Sequence, residues 1–338
     1  MRPRPLAVTL GDPAGVGPEI VARAWDALKG EGPAFLVVGD YETLAAAMAT
    51  RVRGGRARRI LAAGEANDVF PDAVPVLDQP LRQAVVSGKP SSAHADSVVQ
   101  WIDTGVALAL TGAVSGVVTA PIAKAPLYEA GFRFPGHTEY LAELTGNAPY
   151  VGTRGPVMML AAPGLRTVLT TVHEPLARVS ERMSANRIVH VGVVTHEALQ
   201  RDFGIPNPRL AMAALNPHAG ENGSMGREEL DIIAPAVARL RAQGIEVTDA
   251  RPADTLFHAE ARAIYDAVIC HYHDQALIPL KTLDFWGGVN ITLGLPVVRT
   301  SPDHGVGFDI AGRGVARSDS LIAAIRVAAD IAVRRSTR

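Results

Sequence analysis

Short apolar runs alternate with amphipathic stretches along the chain, the pattern of α/β units built around a largely parallel sheet. Runs at 6–10, 35–38, 116–119, 157–161, 167–172, 210–215, 267–271 and 289–293 predict strands. They are rich in Val, Ile, Leu and Ala, as strands covered on both faces tend to be. The spacing predicts helices over 18–29, with Pro18 at the first position, and over 92–110, opened by a capping serine. Further helices are expected over 138–145, 184–203, 227–243 and 319–334. No internal repeat or low-complexity linker interrupts the alternation, so composition alone marks no domain boundary.

The 338 residues suffice for two modest domains or one large one. Hydrophobic residues make up 48% and charged residues 20%, which fits a folded chain and excludes a disordered one. With 33 basic against 34 acidic residues the net charge is −1. No global field then draws the protein to nucleic acid or membrane, and an anionic ligand must be met by a local cluster. The single cysteine, Cys270, ends the apolar run Ala267-Val268-Ile269-Cys270 and reads as a buried structural thiol. Residues 1–10 are too short and proline-rich for a signal peptide, and no apolar run reaches the roughly 18 residues of a membrane span. A cytoplasmic protein is the expectation. The stretch 51–59 carries Arg51, Arg53, Arg56, Arg58 and Arg59 without interleaved aromatics, and reads as a solvated loop, not a nucleic-acid site.

Candidate chemistry starts at Gly11-Asp12-Pro13-Ala14-Gly15-Val16-Gly17-Pro18-Glu19, between a predicted strand and a predicted helix. Glycines there let backbone N–H groups face an anion, although a tight strand-to-helix turn explains them equally. Three histidines follow apolar strands: His173, His218 and His273. Ligands collect at the carboxyl ends of parallel strands, and three imidazoles with an open position suit a catalytic zinc-like ion. His271 lies on the same strand face as His273 and competes with it as a ligand, though its place inside the apolar run suits a hydrogen-bonded core histidine. His94, His190, His196 and His258 have no partner pattern and read as structural. His137 and Thr138 open a predicted helix whose free N–H groups suit a phosphate or carboxylate. Lys281, Asn290 and Arg299 are dispersed beyond the third histidine, and a guanidinium such as that of Arg299 suits bidentate anion contact.

Taken together these segments resemble the 4-hydroxythreonine-4-phosphate dehydrogenase family over essentially the whole chain. The resemblance rests on 11–19, Thr119-Ala120-Pro121-Ile122-Ala123-Lys124, Gly136-His137-Thr138-Glu139 and Leu215-Asn216-Pro217-His218-Ala219-Gly220-Glu221. It continues through 252–257, Tyr272-His273-Asp274-Gln275, 288–296 and 299–305. It implies an isocitrate/isopropylmalate-dehydrogenase-like fold of two α/β/α domains with a cleft between them. The expected boundaries are 1–125 plus 286–338 for a discontinuous cofactor-side domain and 126–285 for a second domain with the metal ligands and a homodimer interface.

The same resemblance implies that His173, His218 and His273 hold one divalent ion, zinc, magnesium or cobalt, and that His137, Thr138, Lys281, Asn290 and Arg299 contact a phosphorylated substrate. It points to 303–312 as an NAD or NADP loop, with Gly11, Asp12, Asp303, His304, Gly305 and Asp309 as cofactor residues. Val306 and Gly307 depart from the family there, where a small hydroxyl residue and alanine are usual; a lost hydroxyl contact weakens or alters cofactor binding. Lys281, Asp274 and Asp254 are the candidates for a proton relay during oxidation of a 3-hydroxyl. The expected substrate is 4-phosphohydroxy-L-threonine, on the route to vitamin B6. Phosphorylated threonate or erythronate is the alternative substrate. A cofactor-free metal lyase or hydrolase, or a non-catalytic metal-dependent binding protein, is an alternative of another class.

Overall fold

A computed structural model of the chain describes residues 3–337. Strands β1–β5 are Leu6–Thr9, Phe35–Gly39, Ala57–Ile60, Val74–Asp78 and Val117–Thr119. Strands β6–β11 are Val157–Ala162, Leu165–Leu169, Arg209–Ala213, Glu246–Arg251, Ala267–Cys270 and Val289–Leu293, and β12 is Arg299–Pro302. The chain divides into two compact units, one of residues 3–149 with Pro296–Thr337, the other Tyr150–Leu295.

In the first unit the order is β3-β4-β2-β1-β5-β12, and every pair is parallel. Strands β1, β2 and β5 are buried at every position because helices cover both faces. Indole N–H groups are satisfied inside this core: Trp25 donates to the Phe70 carbonyl at 2.8 Å and Trp101 to that of Gln79 at 3.1 Å. The second unit runs β11-β6-β7-β10-β8-β9. Here β6 pairs antiparallel with both β11 and β7, while β7, β10, β8 and β9 are parallel. Its core is Leu160, Leu169, Ala211, Val268 and Leu280, with Cys270 fully buried and its thiol pushed up by burial.

The unit boundaries differ from those expected, for local reasons. Helix His137–Leu144 packs on helix Ala95–Leu110, with the Tyr140 hydroxyl donating to Asp103, so residues 126–149 belong to the first unit. Residues 286–295 carry β11, which pairs with β6, and so fall in the second. The helix expected over 227–243 is interrupted: a wide π-type turn, Glu229–Ile233, precedes helix Ala234–Ala242. Pro235 has no N–H to give the preceding turn. The stretch 51–59 is a solvated loop only in its middle, at 52–56, since Arg51 ends a helix. Its last residues form the edge strand β3, where Arg59 pairs with Glu42 and Asp78 at 2.7 Å each and lies over the Tyr41 ring.

Candidate active site

The three histidines leave the carboxyl ends of three adjacent parallel strands, β7, β10 and β8. His173 follows β7, His218 follows β8, and His273 opens helix His273–Leu283 beyond β10. The rings of His173 and His273 converge to 5.9 Å between centroids. The Asp274 carboxylate accepts from Nδ1 of His273 at 2.8 Å, which leaves Nε2 as the free ligating nitrogen. His218 sits on a left-handed turn in which His218, Ala219, Glu221 and Asn222 have φ of 51°, 52°, 42° and 54°. Buried Glu229 anchors the entry to that turn, accepting from the Leu215 and Asn216 backbone N–H groups at 2.8 Å each.

Behind these histidines, His271 is fully buried and belongs to the core. Its Nε2 donates to the Ala213 carbonyl at 2.7 Å and its Nδ1 faces the Thr170 hydroxyl at 3.2 Å, which ties β10 to the ends of β8 and β7. Burial lowers its pKa to about 4, so it is neutral at ordinary pH.

Donor chemistry of three imidazoles, one oriented by a carboxylate, fits a zinc-like divalent ion. The side chains as they stand bring two of the three together. Among the described residues no group of three or more His, Cys, Asp or Glu is placed to hold an ion. Lys281 lies two turns after Asp274 on the same helix, its ammonium 5.3 Å from the Phe285 ring centre. Asn290 is on β11 with its side-chain oxygen buried and without a hydrogen-bond partner. Asp254 is exposed on the short turn after β9, beside β8; nothing shown links it to the histidines.

A second cluster belongs to the first unit. Arg299 opens β12; it is 3% exposed and its Nη2 donates to the Thr119 hydroxyl at 2.7 Å. Burial lowers its pKa to about 10, opposed by Glu139, so it remains a cation at neutral pH. His137 and Thr138 form the first turn of helix His137–Leu144. Burial, together with Arg299 and Lys124, holds the His137 imidazole well below its usual pKa and hence neutral, and its Nε2 is buried without a hydrogen-bond partner. Lys124, at the end of the segment Thr119-Ala120-Pro121-Ile122-Ala123-Lys124, joins this cluster. Its ammonium stands 3.6 Å from where a side chain on Gly136 would begin. A guanidinium, an ammonium, a neutral imidazole and a helix N-terminus are thus gathered at one place, a cradle for a multiply charged anion.

The remaining expected residues lie around 303–314, also in the first unit. Gly305 has open space where a Cβ would be, Gly307 has φ of +59°, and His304 and Asp309 are exposed. Gly307 is therefore a left-handed position that alanine would strain. Val306 packs on Gly15 and its carbonyl accepts from Val16 N–H at 2.9 Å. Gly11 and Asp12 have structural tasks. A Cβ on Gly11 would come 2.5 Å from the Pro121 carbonyl oxygen, and buried Asp12 closes the turn by accepting from Ala14 N–H at 3.0 Å.

Fold and site together define a two-unit α/β enzyme with an anion cradle at one set of strand ends and converging imidazoles at another. A family model described as pyridoxal phosphate biosynthetic protein PdxA matches residues 31–328. A Caulobacter vibrioides protein named 4-hydroxythreonine-4-phosphate dehydrogenase is 64% identical over 335 residues, 99% of each chain. One of the same name from Maricaulis maris is 54% identical over 98% of each. The crystal structure of the Klebsiella pneumoniae 4-hydroxythreonine-4-phosphate dehydrogenase has a TM-score of 0.85 at 42% identity, covering 97% of this chain and 99% of that one. This chain belongs to the PdxA family.

Proposed function

We propose that the protein oxidises the 3-hydroxyl of 4-phosphohydroxy-L-threonine with NAD or NADP, giving a β-keto acid that loses CO₂ to form 3-amino-2-oxopropyl phosphate on the way to pyridoxine phosphate. The observation that carries this reading is the buried Arg299 beside His137 and Lys124, a site with the charge and shape of a phosphate cradle. The activity carried by the relatives' name requires that group on its substrate.

Arg299, Thr138 and His137 hold the phosphate, with Lys124 adding charge. Held there, the phosphate supplies binding energy remote from the reacting carbon, which orients the hydroxyl. His173, His218 and His273 are the residues that would hold a divalent ion, and Asp274 keeps the His273 ring turned with Nε2 outward. Such an ion supplies Lewis acidity, lowering the pKa of a bound hydroxyl. Lys281, as the neutral amine, and Asp274 are the candidates to take the hydroxyl proton, with Asp254 an outer member of the relay. Asn290 donates to the substrate through its amide. Asp303, His304, Gly305 and Asp309 would line the loop of a nicotinamide dinucleotide, which would supply the hydride acceptor, and Gly11 and Asp12 would shape the turn beneath. The protein works as a homodimer.

Absorbance of reduced dinucleotide is the direct test, with zinc, magnesium or cobalt supplied and 4-phosphohydroxythreonine compared with 4-phosphoerythronate. Turnover of the amino acid at least about tenfold faster is expected. Preference for 4-phosphoerythronate would move the assignment to a sugar-acid dehydrogenase, and consumption of substrate without reduction of either dinucleotide would make it a lyase or hydrolase.

A further inference from the structure

Glu19 ends the glycine-rich segment that follows β1, and Arg51 ends helix Tyr41–Arg51 at the start of the basic stretch; the structure brings the two together. Glu19 stands in the first turn of helix Gly17–Leu28, 4% exposed. Its carboxylate accepts the backbone N–H of Gly312 through Oε1 and that of Gly314 through Oε2, the latter at 3.1 Å. Arg51 approaches the same carboxylate at 3.3 Å and donates to the Gly312 carbonyl. Arg23, one turn along from Glu19, donates to the Gly314 carbonyl. One carboxylate and two guanidiniums therefore grip both polar groups of two loop glycines.

What they grip is the far end of the segment 303–314. That segment has Gly305, Gly307, Gly312 and Gly314, three of them at positive φ, and would be conformationally broad if left alone. Its near part is tied by the Val16 N–H to the Val306 carbonyl, and Gly15 leaves the room that Val306 fills: a Cβ there would come 2.2 Å from Val306 Cγ1. Between the two ties runs a single turn, in which Ile310 and Ala311 N–H donate to the Gly307 carbonyl. Burying one carboxylate and partly burying two guanidiniums is a poor way to gain stability, because desolvation offsets the attraction. Their return is a fixed backbone, and a loop already fixed loses less entropy when a ligand binds.

We infer that Glu19, Arg51 and Arg23 are positioning residues that, by gripping Gly312 and Gly314, hold the 303–312 loop in its dinucleotide-binding conformation. The inference rests on the reading of that loop as the cofactor loop. Its test is fluorescence titration of NADH and NADPH on the substrate-free protein, beside steady-state kinetics with each substrate varied. For Glu19→Gln the dissociation constant and the KM of the dinucleotide should rise at least about tenfold, the scale of lost charge-assisted hydrogen bonds. The KM of the phosphorylated substrate should stay within about twofold, because the Arg299 cradle is untouched. Should that variant not fold, Arg51→Gln carries the test from a side chain nearer the surface, and Arg51→Lys, which can still donate to Gly312, should recover part of the affinity. Folded variants that bind dinucleotide like the wild type would overturn the inference, as would a uniform loss across both substrates in step with melting temperature. A wild-type protein that binds neither dinucleotide would instead overturn the cofactor-loop reading itself.

Discussion

Arg299 shows how a single residue can declare a ligand. Placing its guanidinium in a 3% exposed site lowers its pKa to about 10, a cost that the proposed phosphate dianion would offset. Replacing Arg299 by alanine should raise the KM of the phosphorylated substrate about ten- to a hundredfold, with a fall in kcat because the anchor also orients the reacting carbon. Lys124→Ala, at an exposed position, should have a smaller effect of the same sign. Initial rates over a range of substrate concentrations check both, and unchanged kinetics in Arg299→Ala would remove the anchor. His137 gives a second expectation, this time in stability. Its folded-state pKa lies well below the ordinary value of 6.5, mainly through burial. The unfolded chain therefore takes up a proton first, and the residue's contribution, complete above pH 6.5, is lost as the pH falls below it. Urea midpoints measured from neutral pH downward should fall less steeply in His137→Asn than in the wild type; parallel curves would show that the imidazole titrates normally.

At the scale of elements, the turn after β8 has a conformation that its sequence disfavours. Four residues with side chains share left-handed φ values around Gly220, and each costs about 1 kcal/mol relative to glycine. Ala219→Gly should thus stabilise the protein by roughly 0.5–1 kcal/mol, read as a raised urea midpoint at constant m-value. A lowered midpoint would mean that the turn is not left-handed in solution. The sequence hid this turn, since Asn-Pro-His-Ala-Gly-Glu reads as an ordinary loop, and it hid Glu229, which holds the turn from thirteen residues downstream. Edge strands were equally opaque. Edge strand β3 exposes Arg58 and Arg59 and edge strand β9 reads Glu-Val-Thr-Asp-Ala-Arg, so neither shows an apolar run, while β4, next to β3, is interrupted by Pro75. Strand β12 was hidden because Arg299, Thr300 and Ser301 are polar yet buried, the first two held by partners distant in sequence. The strands that were legible, β7, β8 and β10, are apolar on both faces, and their histidines stood out because the chain turns polar just beyond them. Spacing alone left His271 and His273 as rivals; the buried hydrogen bonds of His271 separate them physically.

For the whole molecule, no helix among the described residues is long and apolar enough to cross a membrane, and the balanced charge offers no general attraction to a charged surface. Association is instead expected through apolar side chains left outside the core of the second unit. Ile278, Phe285 and Trp286 are 63%, 59% and 50% exposed, all within or just beyond helix His273–Leu283, and the two aromatic rings meet edge to face at 4.9 Å. Large apolar side chains that lie close together and exposed in this way mark an interface better than scattered ones do. If the proposed homodimer forms there, Trp286→Glu puts a charge into an apolar contact and should weaken association by about a hundredfold, or roughly 3 kcal/mol. Sedimentation velocity over a concentration series reads this directly: the wild type should hold a dimer's coefficient where the variant has become a monomer. The same helix carries His273, Asp274 and Lys281, so the variant should also lose activity as dilution separates the subunits, with wild-type activity constant over that range. A variant that stays dimeric would place the contact elsewhere, and one that is monomeric yet fully active would show that the helix needs no partner to hold its catalytic face.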